Sequence, residues 1–202
     1  MDEGRILLRS ARWIASDALQ RHLRPGDRAV DATMGNGRDT EKLCGWVGET
    51  GRVYAFDIQE QAVEATRSRL LAAGLLGRAE LIRAGHERLE EFVKEPIQAA
   101  VFNLGWLPGG DHGITTRRDT TERAVDAALR LLCPGGILTI CVYPGHEEGK
   151  NELSMLLCKC SGLDVRRYSV LDHHFLNAGE DAPRLLLIQK NRNGGPSARE
   201  AQ

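Results

Sequence analysis

Residues 28–40, RAVDATMGNGRDT, carry the clearest fold signal in the sequence. Its first part, Arg28–Thr33, is a short apolar run typical of a buried strand, and a helical pattern follows the turn that contains Gly35 and Gly37. Glycines let the backbone turn tightly and approach a ligand that a side chain would exclude. The stretch therefore predicts a strand, a ligand-binding turn and a helix. A plain strand-to-helix turn is the alternative, because Thr40 stands where the third glycine of the dinucleotide fingerprint would fall.

Beyond this unit, short β-branched runs alternate with helical segments, a pattern typical of a mostly parallel sheet with helices on both faces. The predicted strands are Arg28–Thr33, Val53–Ile58, Ala79–Ala84, Ala99–Leu104, Ile137–Tyr143, Asp164–Val170 and Arg184–Lys190. The predicted helices between them are Asp39–Val47, Glu60–Ala73, Thr121–Leu132 and Glu148–Cys160. The crossovers have the length of βαβ units. The sequence thus predicts an α/β fold, a doubly wound, Rossmann-like sheet of seven strands.

The two ends of the chain differ from this core. An additional amphipathic helix is predicted over Leu7–Leu23, before the first strand. With the core over residues 28–190, a single domain covers residues 1–190, which suits a chain of 202 residues. Residues 191–202, NRNGGPSAREAQ, have almost no apolar content and are predicted to form a flexible tail.

Composition narrows the class of protein. The formal net charge of −1 argues against a generic binder of polyanions, so any contact with nucleic acid is expected to be local. No apolar run approaches the ~20 residues of a membrane span, and the N-terminus lacks the apolar core of a signal peptide. We therefore expect no membrane partner and a cytoplasmic location. The five cysteines have neither a CxxC pair nor a zinc-like spacing with histidines, so we expect reduced thiols and no metal.

An acidic residue at the end of the second strand indicates the class of ligand. Asp57 follows Gly37 by about 20 residues, where a carboxylate can accept hydrogen bonds from both ribose hydroxyls of an adenosine. Asp31 and Asp39 flank the glycines and would repel a pyrophosphate, whereas a carboxylate could pair with an α-amino group directly or through water. These residues favour S-adenosylmethionine (SAM) over a dinucleotide. His86, after the third strand, is predicted to border the adenine, with a solvent-facing loop histidine as the alternative.

The stretch FNLGWLPGGD, residues 102–111, follows the fourth strand. In an open α/β sheet the ligand crevice lies outside the carboxyl ends of the strands. The Asn103 amide can accept a hydrogen bond from an amine and hold its lone pair toward an electrophilic methyl group. Trp106 is predicted either to stack on a planar substrate such as a base or to be a core residue. Asp111 is predicted to orient the substrate, or else to be a turn acid after the glycine pair.

The motifs DATMGNGRDT, FDIQ, FNLGWLPGGDH, ITTRRDTT, VYPGHEEGKNE and FLN…APRLLLIQK together resemble the bacterial YtqB/MnmM family, over roughly residues 28–190. The resemblance implies a class I SAM-dependent methyltransferase that acts on tRNA. Its expected substrate is 5-aminomethyl-2-thiouridine at the wobble position, which would become the 5-methylaminomethyl nucleoside (EC 2.1.1.61).

The resemblance also implies site residues: Gly35, Asn36, Gly37, Asp57 and Gln59 contact SAM, and Tyr143, Gly145 and His146 shape the same pocket. Asn103, Trp106 and Asp111 are the expected catalytic residues on the substrate side. The complete prediction for cofactor binding is Asp31, Gly35, Asn36, Gly37, Asp39, Thr40, Asp57, Ile58, Gln59, His86 and Asn103. The complete prediction for substrate binding is Trp106, Gly109, Gly110, His112, Arg117, Tyr143 and His146.

A neutral amine is already a good nucleophile, so positioning and desolvation are expected to supply most of the catalysis. Asp111 and His146 are the candidates if a general base is needed. Arg117-Arg118 and Arg166-Arg167 could touch phosphates of a tRNA anticodon stem-loop. Whether the chain forms a homodimer is left open.

Three other functions fit the sequence less well. One is a methyltransferase of the same fold that acts on rRNA or on a small amine. Another is an NAD-dependent oxidoreductase, which Asp31 and the missing third glycine disfavour. The last is a non-catalytic RNA-binding module that keeps the cofactor fold as a scaffold.

Overall fold

The computed structural model describes residues 10–192, and its centre is a seven-stranded sheet with the strand order β3-β2-β1-β4-β5-β7-β6. Strand β7 runs antiparallel to β5 and β6, and the other neighbours are parallel. The predicted α/β class with a mostly parallel sheet is confirmed. The strands are β1 Arg28–Asp31, β2 Arg52–Asp57, β3 Ala79–Arg83, β4 Ile97–Asn103, β5 Leu132–Val142, β6 Tyr168–His173 and β7 Arg184–Lys190.

Helices cover both faces of the sheet. The helices are α1 Ala11–His22, α2 Arg38–Val47, α3 Glu60–Ala72, α4 Leu89–Phe92, α5 Arg118–Leu131 and α6 Glu147–Ser161. Buried side chains of α1, α2 and α3 form one apolar cluster with one face of the sheet. Those of α4, α5 and α6 form a larger cluster with the other face. Successive side chains of a strand point to opposite faces of the sheet, so Ala29 lies in the first cluster and Val30 in the second.

The sixth strand is the main correction to the predicted elements. It was expected over Asp164–Val170, but residues 164–167 form a turn in which Asp164 O accepts from Arg167 N at 2.8 Å and Asp164 Oδ1 accepts from Arg166 N at 3.0 Å. An Asp that bonds its own backbone two residues on competes with strand pairing. The strand instead begins at Tyr168 and continues to His173, because β7 offers partners along that length.

The ends of the chain fit the prediction in part. Helix α1 begins after Ser10, whose Oγ accepts from Trp13 N at 3.3 Å, and the predicted residues 7–9 lie outside the described range. Asn191 was predicted as the first residue of the tail, but its backbone N–H donates to Arg167 O at 2.8 Å and its amide to Val165 O at 3.0 Å. Residues 193–202 also lie outside the described range. Within residues 10–192, no helix combines the length and the apolar character that crossing a membrane would require.

The topology positions a crevice at one edge of the sheet. Successive strands run from β1 outward to β3, and the chain then returns to place β4 on the other side of β1. The order therefore reverses between β1 and β4, and the loops that leave these two strands diverge at their carboxyl ends. Asp31 and Asn103, at the last positions of β1 and β4, mark that edge.

Candidate active site

A cavity of about 590 Å³ opens at this edge of the sheet, within the range of roughly 300–1,000 Å³ that is usual for ligand pockets. Its walls come from the turn after β1, the end of β2, the segment after β3, and the loop that follows β4. The sequence-predicted residues that line it on the cofactor side are Gly35, Asn36, Asp39, Asp57, Ile58, Gln59, His86 and Asn103. Those that line it on the substrate side are Trp106, Arg117, Tyr143 and His146.

The turn after β1 is held in place by Asp57 and by the packing of α3. Asp57 Oδ2 accepts from Gly35 N at 3.1 Å, and Oδ1 accepts from Gln59 N at 2.9 Å. Gly37 has φ +75°, and a Cβ there would lie 2.9 Å from the Cα of Thr66, so only glycine fits. The hydroxyl of Thr66 in turn donates to Gly35 O at 3.0 Å. The glycines thus serve a close approach between this turn and α3.

Asp31 and Thr40 lie behind this turn rather than in the cavity. Asp31 is fully buried, its Oδ2 accepts from Thr40 Oγ1 at 2.7 Å, and its Oδ1 accepts from Thr33 N at 3.2 Å. Burial, and then the neighbouring Asp39 carboxylate, raise the pKa of Asp31 to about 7. The direct pairing with a cofactor amino group that we predicted for Asp31 finds no support in this geometry, because Asp31 is fully buried and does not line the cavity. A pairing through water stays a prediction. Gly37 and Thr40 are likewise absent from the cavity wall.

Asp39 organises a network that reaches from α1 to β4. Its Oδ2 accepts from Arg12 Nη2 at 2.8 Å and from Asn103 Nδ2 at 2.8 Å. Since a carboxylate only accepts, the amide nitrogen of Asn103 must face Asp39, and the amide oxygen must point elsewhere. That oxygen, Asn103 Oδ1, is buried and has no hydrogen-bond partner among the described residues. A buried acceptor without a partner costs about 1–3 kcal/mol, so Asn103 Oδ1 is a candidate acceptor for a ligand donor.

His86 is a buried residue of the cavity wall. Its side chain is only 7% exposed, so the alternative of a solvent-facing loop histidine is wrong. Nδ1 lies 3.2 Å from Ala32 O, and because a carbonyl only accepts, Nδ1 carries the hydrogen. Burial lowers the pKa of His86, which keeps the ring neutral. Nε2 is thereby left as an acceptor.

Trp106 faces the cavity and not the core. Its side chain is 37% exposed and lines the cavity. The indole stacks on His112 with ring centroids 4.4 Å apart, and His146 lies against it at 4.6 Å with the planes tilted by 47°. A substrate base that stacks on this indole would join an existing aromatic group or displace His112 from it.

His146 caps helix α6. Its Nδ1 accepts from Gly149 N at 3.1 Å, so in the neutral ring the hydrogen resides on Nε2. The ring can then donate to a ligand through Nε2, but it has no free lone pair with which to accept a proton. This arrangement corrects the suggestion that His146 serves as a general base.

Asp111 and its neighbours lie outside the cavity wall. Asp111 is exposed, and its Oδ1 accepts from Gly113 N at 2.8 Å, the hydrogen bond of a turn acid. Gly109, with φ +82°, and Gly110, whose N–H donates to Leu107 O at 2.8 Å, shape the same turn. The hydrogen bond supports the alternative of a turn acid for Asp111, and Asp111, Gly109, Gly110 and His112 do not line the cavity. Their contacts with a substrate stay predictions.

Sequence reasoning missed several residues of the site. Arg12 lines the cavity from α1, and no motif distinguishes it from the other arginines of that segment. Pro108 O accepts from Asn36 Nδ2 at 3.2 Å, which joins the loop after β4 to the turn after β1. Leu107 packs toward Gly35, where a Cβ would lie 3.2 Å from its Cδ1. These contacts close one side of the cavity.

Metal chemistry and disulfide chemistry find no support in the described residues. Across residues 10–192, no three His, Cys, Asp or Glu side chains lie close enough together to hold a metal ion. The five cysteines, all inside that range, are free thiols.

Comparison with known proteins finds similarity over most of the chain. The sequence model of the family described as “Putative rRNA methylase” matches residues 53–189. A “tRNA (mnm(5)s(2)U34)-methyltransferase, chloroplastic” of Arabidopsis thaliana is 37% identical over 92% of this chain and 71% of its own length. A “Ubiquinone/menaquinone biosynthesis C-methyltransferase UbiE” of Ectopseudomonas mendocina is 32% identical, and that match spans 61% of this chain but only 45% of the relative.

Solved structures agree with these matches. The crystal structure of a “putative rRNA-methylase” from Clostridium thermocellum has a TM-score of 0.89 and 38% identity, over 92% of this chain and 100% of that one. The structure of a “putative methyltransferase” from Streptococcus mutans in complex with SAH has a TM-score of 0.83 and 36% identity, over 91% of this chain and 99% of that one.

Proposed function

Since the chain belongs to the “Putative rRNA methylase” family and is a SAM-dependent methyltransferase, we propose that it methylates the primary amine of 5-aminomethyl-2-thiouridine at the wobble position of tRNA. The product is the 5-methylaminomethyl nucleoside. The relative from Arabidopsis thaliana is named for the corresponding nucleoside, and it aligns with 92% of this chain.

The observation that carries the proposal is the unpartnered Asn103 Oδ1 at the carboxyl end of β4. Asp39 fixes the direction of this amide, so its oxygen can accept an N–H from a substrate amine and hold the nitrogen lone pair in a set direction. When bound, SAM supplies an electrophilic methyl group on its sulfonium. The new N–C bond forms as the S–C bond breaks, and the surplus proton of the amine leaves to solvent.

No side chain in this site is proposed as a dedicated general base. Asp111 is exposed and bonded to Gly113 N, and His146 Nδ1 is engaged by Gly149 N. An aliphatic ammonium must first lose a proton, which goes to solvent, and the neutral amine then needs no base to attack a sulfonium methyl. Positioning by Asn103 therefore supplies the catalysis.

The cofactor side of the cavity suits an adenosine. Asp57 accepts hydrogen bonds from Gly35 N and Gln59 N. Because a carboxylate has about four acceptor positions, two remain for both ribose hydroxyls. His86 Nε2 can accept from the exocyclic amino group of adenine, and the exposed Ile58 offers an apolar surface to the ring.

Two cations of the cavity wall are proposed to contact RNA phosphates next to the target nucleotide. Neither Arg38 nor Arg117 forms an ion pair with another residue of the described chain, and both line the cavity. Arg166, by contrast, pairs with Asp164, and the Arg167 guanidinium lies over the Tyr168 ring at 5.6 Å. Arg117 is therefore favoured over the 166–167 pair as a phosphate contact.

The test is methylation of undermodified tRNA by the purified protein with labelled SAM, followed by mass spectrometry of the nucleosides. We expect 5-methylaminomethyl-2-thiouridine to form. Asn103→Ala should lower the rate at least tenfold while SAM affinity by calorimetry stays within about threefold, since a lost hydrogen bond to a reacting group costs about 1–3 kcal/mol. Asn151→Ala, the same change at an exposed position of α6, is the matched control.

Two results would contradict the proposal. If the label entered rRNA or a small amine and the wobble nucleoside of tRNA stayed unmethylated, the substrate would be wrong. If Asn103→Ala methylated tRNA as fast as Asn151→Ala, the amide oxygen would not orient the amine.

A further inference from the structure

The loop after β4 leaves and returns at one narrow neck. Gly105 N donates to Thr116 Oγ1 at 2.8 Å, and Thr116 N donates to Gly105 O at 3.0 Å. Next to this pair, Trp106 and Thr115 form an isolated antiparallel bridge. Residues 106–115 therefore form a closed loop, and the direction in which Trp106 enters the cavity is set at its neck.

A buried carboxyl group of α6 holds this neck. Glu152 of α6 is fully buried and is not part of the cavity wall. Its Oε2 accepts from Thr116 Oγ1 at 3.0 Å, and its Oε1 accepts from Thr121 Oγ1 at 2.6 Å. Because the Thr116 hydroxyl receives Gly105 N–H, its own hydrogen is free to go to Glu152. The chain of hydrogen bonds thus runs in one direction, from Gly105 through Thr116 to Glu152.

Packing alone does not account for an acid at this position. Burial raises the pKa of Glu152 to about 7, because it disfavours the charged carboxylate. An apolar residue of similar size would fill the space between α5 and α6 without that cost. What Glu152 adds is a pair of acceptors, one for the loop neck and one for Thr121 near the start of α5.

We propose that Glu152 is a positioning residue: through the Thr116 hydroxyl it fixes the neck of the loop, and so sets the orientation of Trp106 toward the substrate. The part of this inference that concerns the substrate rests on the proposed function. The part that concerns the loop stands on the hydrogen bonds alone.

The experiment follows Trp106 directly. The chain has three tryptophans, Trp13, Trp46 and Trp106, so a Trp13→Phe, Trp46→Phe background leaves Trp106 as the only indole. Quenching of its fluorescence by acrylamide reports how firmly the loop is held. In this background we expect Thr116→Val and Glu152→Leu to raise the quenching constant about twofold or more.

Conservative variants and one matched control separate this role from a general loss of packing. Thr116→Ser keeps the hydroxyl, and Glu152→Gln keeps an acceptor for Thr116, so both should stay close to the parent. Thr139→Val is the control, since Thr139 is fully buried and its hydroxyl has no partner among the described residues. SAM affinity by calorimetry should stay within about threefold of the parent in every variant.

For tRNA methylation, Thr116→Val and Glu152→Leu should lower kcat/KM about tenfold, the loss expected for one hydrogen bond. If Thr116→Val matched Thr139→Val in both quenching and methylation, the proposal would be overturned. It would also be overturned if methylation fell while quenching stayed at the parental value. If the parent itself did not methylate tRNA, the proposed function would fail, but quenching would still decide whether Glu152 holds the loop.

Discussion

Replacing Asp31 by Asn tests whether this carboxyl group is buried behind the turn after β1, where it accepts hydrogen bonds from Thr33 N and Thr40 Oγ1. In the unfolded chain an Asp ionises near pH 3.9, whereas burial and the nearby Asp39 raise the pKa of folded Asp31 to about 7. Between these pH values the folded protein holds a proton that the unfolded chain has lost. The free energy of unfolding then falls as pH rises, by about 1.4 kcal/mol per pH unit and by about 4 kcal/mol over the whole window.

The assay is urea unfolding, followed by circular dichroism at several pH values between 4 and 8, for the parent and Asp31→Asn. Other titrating groups, such as Glu152 and His86, contribute to both proteins and cancel in the difference. Asp31→Asn loses the acceptor for Thr40 Oγ1, a pH-independent cost of about 1 kcal/mol. We expect the variant to be the less stable protein near pH 4 and to gain on the parent as pH rises toward 8.

A difference in unfolding free energy that did not change with pH would refute this reasoning about Asp31. SAM binding gives an independent check. Since Asp31 does not line the cavity and Asp57 does, Asp31→Asn should weaken SAM binding less than Asp57→Asn. An equal or larger loss in Asp31→Asn would restore the direct contact with the cofactor that the sequence suggested.

The remaining predictions concern the turn, the sheet and the RNA surface. Gly37→Ala should lower the free energy of unfolding by about 2 kcal/mol or more, because its φ is +75° and an added Cβ would clash with Thr66. Thermal unfolding measures the loss, and Gly77→Ala is the control, since no atom lies within 4 Å of an added Cβ there. Lys190→Met should lower the free energy of unfolding by about 2 kcal/mol, because Nζ donates to three carbonyl oxygens at the end of α5, the shortest bond being 2.6 Å. An unchanged midpoint of urea unfolding would contradict this prediction. Arg117→Ala should reduce the slope of the logarithm of the tRNA binding constant against the logarithm of the salt concentration by about one, as measured by filter binding from low to moderate salt. An unchanged slope would show that Arg117 does not contact a phosphate.

The fold was predictable because its signals are local. The apolar run before Gly35 and the helical pattern after it define β1 and α2 without reference to the rest of the chain. The sixth strand differs from its predicted bounds for two reasons. The turn made by Asp164 prevents a strand over residues 164–167, and pairing with β7 extends the strand to His173. Only the pairing depends on tertiary structure, and sequence periodicity does not detect it.

The residues of the candidate site that lie at strand ends were predictable from the sequence. Asp57 and Asn103 end β2 and β4, and parallel strands bring their carboxyl ends to one edge. Glu152 could not be found in this way, since its hydrogen bond with Thr116 joins two residues that are far apart in the sequence. For Asp111 the sequence left two alternatives, a substrate contact and a turn acid, and the hydrogen bond from Gly113 N supports the second.

The chemistry of Asn103 depends on residues far from it in sequence. An asparagine amide can present either a donor or an acceptor to a ligand, and only an acceptor can hold an amine with its lone pair toward a methyl group. Asp39 decides between the two, because it can only accept and therefore takes the amide nitrogen at 2.8 Å. Arg12 and Lys42 form ion pairs with Asp39, at 2.8 and 3.3 Å. Helix α1 therefore contributes to this network through the Arg12 guanidinium, which bonds the carboxylate that orients the Asn103 amide.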